Sequence, residues 1–227
     1  MRDGFKDGFP IIMGFIPIAM AFGILCKTAE ISLLESLGFS MIVFAGASQF
    51  IAVNLLIAGA GIGEIIFTTL LVNFRHFLFA ASLSPKMTKD MKNTVPLIAF
   101  GLTDEIFSVA SLKTKDLSKE YMITLESCAY FALAIGTAMG FILGGILPAS
   151  VQLSMGIALY ALFVAILVPE MKKSVKVVVL LVLSGMTNTI CLYLFNIPQG
   201  WSIIIAIILV SVLGLFIKID ERELCNE

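Results

Sequence analysis

Apolar runs of about twenty residues, separated by short polar connections, fill this chain from one end to the other. A helix that crosses the hydrocarbon core of a bilayer needs about 20 mostly apolar residues. On that measure eight segments qualify: residues 9–28, 37–58, 62–83, 95–112, 124–147, 151–169, 175–195 and 200–218. The fourth is the weakest. It is short and carries Asp104 and Glu105 side by side, which predicts a broken or re-entrant helix, because irregular backbone is tolerated at membrane depth only where protein or water lines it. The pattern predicts an all-α fold: a polytopic membrane helix bundle of 7–8 transmembrane segments, one of them short and broken or re-entrant, in a single membrane domain covering residues 1–227. The N-terminal MRDGFKDGFP runs into an apolar stretch that continues past Leu25 with no small-residue cleavage site, so it reads as a first membrane segment and not as a removed signal.

Basic residues in the connections test the crossing count, since cytoplasmic loops collect lysine and arginine. With eight full crossings, ten basic residues (Arg2, Lys6, Lys113, Lys115, Lys119, Lys172, Lys173, Lys176, Lys218, Arg222) face four (Lys27, Lys86, Lys89, Lys92). If the fourth segment turns back, only Arg2 and Lys6 stay outside, two against twelve. Both versions put the C-terminus in the cytoplasm, and the bias favours seven crossings. A weak two-fold repeat is also visible. The stretch from Phe22 to Phe50 and the stretch from Met139 to Phe163 share a layout of glycine-containing helix end, short connection and further span, as in transporters built from internal repeats.

Composition agrees with this picture. Of the 227 residues 59% are hydrophobic and only 14% charged, where a globular domain carries roughly a quarter of its residues charged. Mean hydropathy is +1.03. A soluble fold would have too little polar surface to cover such a core. The net charge of -1 and the lack of a basic cluster argue against nucleic acid as a partner. The four cysteines (Cys26, Cys128, Cys191, Cys225) are scattered singly, which fits small apolar fillers better than a disulfide or metal site, and nothing points to a cofactor.

The chemistry is expected where polar residues interrupt the apolar runs. In VNFRHF, residues 72–77, an arginine and the chain's one histidine sit inside the third segment. An ionised side chain at the bilayer centre costs at least a few kcal/mol, so Arg75 must face protein or a hydrated cavity. At 100° per residue Thr68, Thr69, Asn73, Arg75, His76 and Ser82 fall within about half of the helix circumference, leaving Phe67, Leu70, Leu71, Phe74 and Leu78 to lipid or packing. The fourth segment's LTDE offers Thr103, Asp104 and Glu105 as partners. A carboxylate beside Arg75 stays ionised, whereas one without a cation tends to take up a proton, so Asp104 and Glu105 are candidate proton carriers. A purely structural Arg75–Asp104 pair joining two helices is the plainer alternative. His76, the residue whose intrinsic pKa lies nearest neutrality, is a further coupling candidate or simply a hydrogen-bonded interior group. In the second segment AGASQF, residues 45–50, allows either close helix packing or a local unwinding that frees backbone around Ser48 and Gln49. In the seventh, Ser184, Thr187, Asn188 and Cys191 form a second polar stripe, which completes a cavity or binds a neighbouring helix.

The order of FAGASQF, then N-x-R-H in VNFRHFLFAASLSP, then LTDE in FGLTDEIFSVA resembles the AzlC-type branched-chain amino acid permease family over nearly the whole chain. This resemblance implies a bacterial inner-membrane, multi-pass large subunit that works with a separate small AzlD-type membrane subunit and exports valine-like amino acids. Phe74 stands where the family more often has leucine. The oligomeric number beyond that pairing is open.

An amino-acid zwitterion needs a cation for its carboxylate, an acceptor for its ammonium and an apolar pocket for its side chain. Arg75 and Asn73 suit the first, Asp104 or Glu105 the second, and Phe50, Phe74 and Phe107 the third, with Gln49, Ser48 and Thr103 as further substrate contacts. The absence of a Walker motif makes ATP drive within this chain implausible, which points to proton coupling. A passive channel would show rings of polar residues instead of one asymmetric cluster. A membrane-embedded enzyme is disfavoured by the lack of HExxH and GxSxG. A structural subunit whose partner does the transport is a further alternative.

Overall fold

The computed structural model describes residues 2–88, 91, 94–113, 117–146, 164, 167–168, 171–172 and 174–216. Among them the regular structure is helical, with turns between helices and one isolated bridge between Met87 and Leu117. The helices are α1 (Arg2–Thr28), α2 (Leu33–Gly38), α3 (Gly46–Ile57), α4 (Ile62–Leu83), α5 (Val95–Gly101), α6 (Asp104–Ser111), α7 (Lys119–Leu143), α8 (Val175–Tyr193) and α9 (Gln199–Phe216), with a π-helical stretch at Phe39–Val43. Of these α1, α4, α7, α8 and α9 are long and apolar enough to cross a bilayer. Nearly all of the 151–169 candidate span, and with it much of the second repeat copy, lies outside the described residues. The described chain clusters into two compact units, Met1–Val53 with Val72–Leu159, and Asn54–Leu71 with Tyr160–Glu227.

In the first unit α1 and α7 run parallel and very close. Small residues make this possible, as they do wherever membrane helices pack without a hydrophobic driving force between them. A methyl group at Gly23 would strike the Thr137 carbonyl, and one at Gly140 the Met20 carbonyl; a Cβ at Gly136 would lie 2.6 Å from the Ala19 Cβ. At the start of both helices Tyr121 donates to Asp7 at 3.0 Å, and Lys113 pairs with the same carboxylate at 2.6 Å.

Two segments in this unit turn back on themselves. The first begins with a capping box, in which the Glu35 N–H donates to Ser32 Oγ at 3.3 Å and the Ser32 N–H to Glu35 Oε2 at 2.9 Å. It continues through α2 and the π stretch to Phe44, whose φ of 46° is left-handed. α3 then runs back. Gln49 donates to Ser40 at 3.4 Å, and Phe22 meets both Phe39 and Phe50, at 6.1 and 5.3 Å between ring centroids. Residues on either side of Phe44–Ala45 therefore lie side by side, which makes residues 33–57 a re-entrant hairpin. The expectation that residues 37–58 form one span is corrected on this point: α2 with its π extension and α3 are each too short to cross about 30 Å of hydrocarbon at 1.5 Å per residue.

The second hairpin is the one the sequence pattern points to. α5 and α6, of seven and eight residues, are separated by Leu102 and Thr103, and the turn that follows α4 is tied to the end of α6. Lys86 donates from Nζ to the carbonyls of Ser111 at 2.6 Å and Lys113 at 3.3 Å, and the Leu117 N–H donates to the Lys86 carbonyl at 2.9 Å. With two returning segments instead of one, the basic-residue count for seven crossings also changes. That count puts Arg2 and Lys6 opposite Lys113, yet the Asp7–Lys113 pair places the start of α1 at the same end as Lys113.

In the second unit α8 and α9 pack antiparallel. Glu64, at the start of α4, accepts the N–H groups of Gly200 at 2.6 Å and Trp201 at 3.1 Å, satisfying donors that the first turn of α9 leaves free. The Thr68 hydroxyl donates to the Gly200 carbonyl at 3.4 Å.

Candidate functional site

The C-terminal half of α4 carries Asn73, Arg75 and His76 toward the tip of the second hairpin. Arg75 Nη2 lies 2.9 Å from Asp104 Oδ2, with about a quarter of each side chain exposed. The fold creates this meeting in two steps. Thr103 breaks the helix and caps α6 by accepting the Ile106 N–H at 3.4 Å, which leaves Asp104 in the first turn, where a carboxylate also interacts favourably with the helix dipole. Phe79 of α4 then stacks on Phe107 of α6 at 4.4 Å, clamping the two helices one turn beyond the ion pair.

Around this pair hydrogen-bonding capacity is left over. Arg75 Nε, Asn73 Oδ1 and His76 Nε2 are buried with no hydrogen-bond partner among the described residues. Buried polar atoms are rarely left unsatisfied, and those that are call for an explanation. Here three occur within four residues of one helix. His76 lies beside Arg75, Asp104 and the Leu102 backbone, with its ring 6.0 Å from that of Phe79. Glu105 is partly buried beside Thr103, Asp104 and Arg75.

The structure thus gathers Asn73, Arg75, His76, Thr103, Asp104 and Glu105. Ser48 and Gln49 are engaged elsewhere in the same unit. Ser48 donates to the Ala45 carbonyl at 3.0 Å, and Gln49 is 1% exposed and belongs to a chain through Ser40 to Thr137, the last link 2.7 Å. Two of the aromatic residues expected around the substrate also point away. Phe74 is 60% exposed and stacks on Phe77, while Phe50 packs on Phe22 of α1; Phe107 lies next to the cluster, stacked on Phe79. The second polar stripe lies in the other unit, where Ser202 donates toward the Asn188 carbonyl and Oδ1 at 3.0 and 2.5 Å. Asn188 therefore binds a neighbouring helix, while Ser184 and Thr187 are partly buried. Among the described residues no three His, Cys, Asp or Glu side chains converge as a metal site would require.

Two acidic residues escape the sequence pattern, Glu64 and Glu126, which are 7% and 6% exposed. Both fall third in their candidate spans, at positions usually read as the wet end of a helix. The signal that would have found Glu126 is a better helix start: Ser118 accepts the Tyr121 N–H at 3.3 Å, so α7 begins five residues before residue 124 and Glu126 lies about two turns inside it.

Comparison with known proteins bears on these residues. The family model described as AzlC protein matches residues 10–147, which include both hairpins and the Arg75–Asp104 pair. The chain is 33% identical to the inner membrane protein YgaZ of Escherichia coli over 204 residues, 86% of this chain and 82% of that protein. It is 34% identical to an uncharacterized membrane protein of Archaeoglobus fulgidus, covering 75% and 76%. It is 28% identical to the branched-chain amino acid transport protein AzlC of Bacillus subtilis, covering 77% and 69%. No solved structure matches it significantly.

Proposed function

The chain belongs to the AzlC family, and from that premise we propose that it is a secondary transporter that exports branched-chain, valine-like amino acids across the bacterial inner membrane. The family's membrane-transport character supports the coarse reading of a multi-pass transport protein. The finer reading rests on one observation above all: a guanidinium inside a membrane helix, paired at 2.9 Å with a carboxylate at the tip of a re-entrant hairpin and flanked by unfilled polar atoms. A purely structural pair needs no third or fourth polar group. An arriving amino-acid carboxylate would take Arg75 Nε and compete with Asp104 for the guanidinium, a charge-assisted contact of the strong kind.

Proton coupling belongs to the same reading, with Asp104, Glu105 and His76 as the groups able to exchange a proton when the ion pair opens. An AzlD-type small membrane subunit is the expected partner, and the C-terminus is expected in the cytoplasm.

Arg75→Ala tests the core of this proposal. Export of labelled valine from loaded cells should fall on the order of tenfold to a hundredfold, matching loss of one charge-assisted contact, with the protein still present in the membrane. Wild-type efflux from that variant removes Arg75 from the substrate site. For coupling, efflux is measured against external pH in Asp104→Asn, Glu105→Gln and His76→Gln; a profile unchanged in all three rules out these carriers. Uphill, saturable flux excludes a passive channel. Efflux from cells that contain this chain but no small subunit decides whether the partner is required.

A further inference from the structure

The tip of the second hairpin has a second side. Three residues before Asp104, Gly101 rests against Glu126 of α7, so closely that a Cβ there would lie 2.5 Å from Glu126 Oε2. Glu126 is 6% exposed, and its Oε1 has no hydrogen-bond partner among the described residues. Beside it is an open pocket of about 280 Å³, lined by Phe44 and Tyr130 and, at its exposed mouth, by Phe100 and Phe131. Phe44 comes from the tip of the first hairpin. It is 1% exposed, held in the left-handed region at a cost of roughly 1–2 kcal/mol, with its ring 6.0 Å from Phe100 and 5.3 Å from Tyr130. The Tyr130 hydroxyl is already donating, to the Met41 carbonyl at 3.2 Å. The two hairpin tips therefore meet beside one carboxyl group, and among the residues lining the cavity Glu126 is the acidic one.

We infer that this cavity is a binding subsite for a primary ammonium carried on a short alkyl group. A carboxyl oxygen left unpartnered inside a membrane protein is costly and marks a functional position by default. An ammonium brings three donors and no acceptor, and fits Oε1 where a second carboxylate would not. Aromatic faces attract a cation close to them, and the same rings bury an alkyl group. The volume lies at the lower limit of small-ligand pockets, which favours a ligand of a few carbons. A packing role would be served as well by leucine at 126 and would not need Phe44 in a strained conformation, of the kind that collects at functional sites. The natural ligand, an apolar amino acid, rests on the transport reading above; the site itself does not. Asp104 is committed to Arg75, so Glu126 is the carboxyl that an incoming ammonium finds unengaged.

The experiment uses the full chain in lipid nanodiscs, with labelled 3-methylbutylamine as probe and L-leucine and 3-methylbutanoate as competitors. Saturable amine binding is expected, displaced by leucine and not by the carboxylate. Glu126→Gln, which keeps the shape and removes the group that can ionise against an arriving ammonium, should weaken amine binding by about tenfold or more with unchanged thermal stability, and Phe100→Leu should weaken it about threefold through the lost ring face. Absent amine binding in the wild type, or unaltered affinity in Glu126→Gln, overturns the subsite. Loss of amine binding in Glu126→Gln from a protein that neither binds nor exports leucine leaves the subsite standing and removes the transport reading. Unaltered amine affinity in a Glu126→Gln protein that still binds and exports leucine does the reverse.

Discussion

At the scale of single residues the strongest lever is the Arg75–Asp104 pair. Breaking a desolvated pair by removing one partner is more damaging than replacing both, because the remaining charge has no counterpart. Arg75→Leu alone should destabilise the protein by roughly 2–3 kcal/mol, seen as a lower melting temperature in detergent, while the double variant Arg75→Leu with Asp104→Leu should recover most of that loss and still fail to transport. Recovery of transport in the double variant would make the pair structural. Glu64 offers a contrast: its carboxylate accepts two N–H groups at the start of α9, a cap worth roughly 1–2 kcal/mol. Glu64→Ala should lower stability by about that amount, measured by thermal unfolding. Arg75 was legible because a cation in an apolar run is conspicuous at any position. Glu126 and Glu64 were not, because an acidic residue near the presumed end of a span looks solvated until the true helix start and the neighbouring helix are known.

At the scale of elements, contact between α1 and α7 depends on side chains that are missing. Gly140→Ala and Gly23→Ala force backbone apart and should each cost about 1–3 kcal/mol, whereas Gly14→Ala, with nothing within 4 Å, should be close to neutral; thermal unfolding of the three variants checks this. The second hairpin was half visible in the sequence, since two adjacent carboxylates do not fit a plain crossing. The first was hidden by its own hydrophobicity. Residues 37–58 are apolar and long enough to span, and the small residues of AGASQF permitted unwinding without requiring it. What turns the chain there is Phe44, accommodated with φ of 46° between Phe100 and Tyr130, contacts about 55 and 85 positions away that no local pattern encodes.

At the scale of the whole molecule, the two hairpins alter the sidedness argument. Within the first unit, the end that holds the starts of α1 and α7 and both ends of the second hairpin carries Arg2, Lys6, Lys86, Lys113 and Lys119 among the described residues, while the end holding the C-terminus of α1 carries Lys27. Five against one predicts a cytoplasmic N-terminus under the positive-inside tendency. In a background free of native cysteines, Lys6→Cys and Lys113→Cys should react with a membrane-impermeant thiol reagent from the same, cytoplasmic face and Glu30→Cys from the other. Labelling of positions 6 and 113 from opposite faces would remove the re-entrant assignment.

Composition and hydropathy alone determined that this chain is an all-helical, multi-pass membrane protein with a charged centre near Arg75, because the cost of transferring a residue into hydrocarbon is set by its chemistry and hardly by its neighbours. The number of apolar segments that turn back, the pairing of Arg75 with Asp104 in particular and the seclusion of Glu126 between two hairpin tips were decided by tertiary structure. Turning back and crossing bury similar apolar surface, so the choice falls to a few long-range contacts between side chains that the linear pattern keeps far apart.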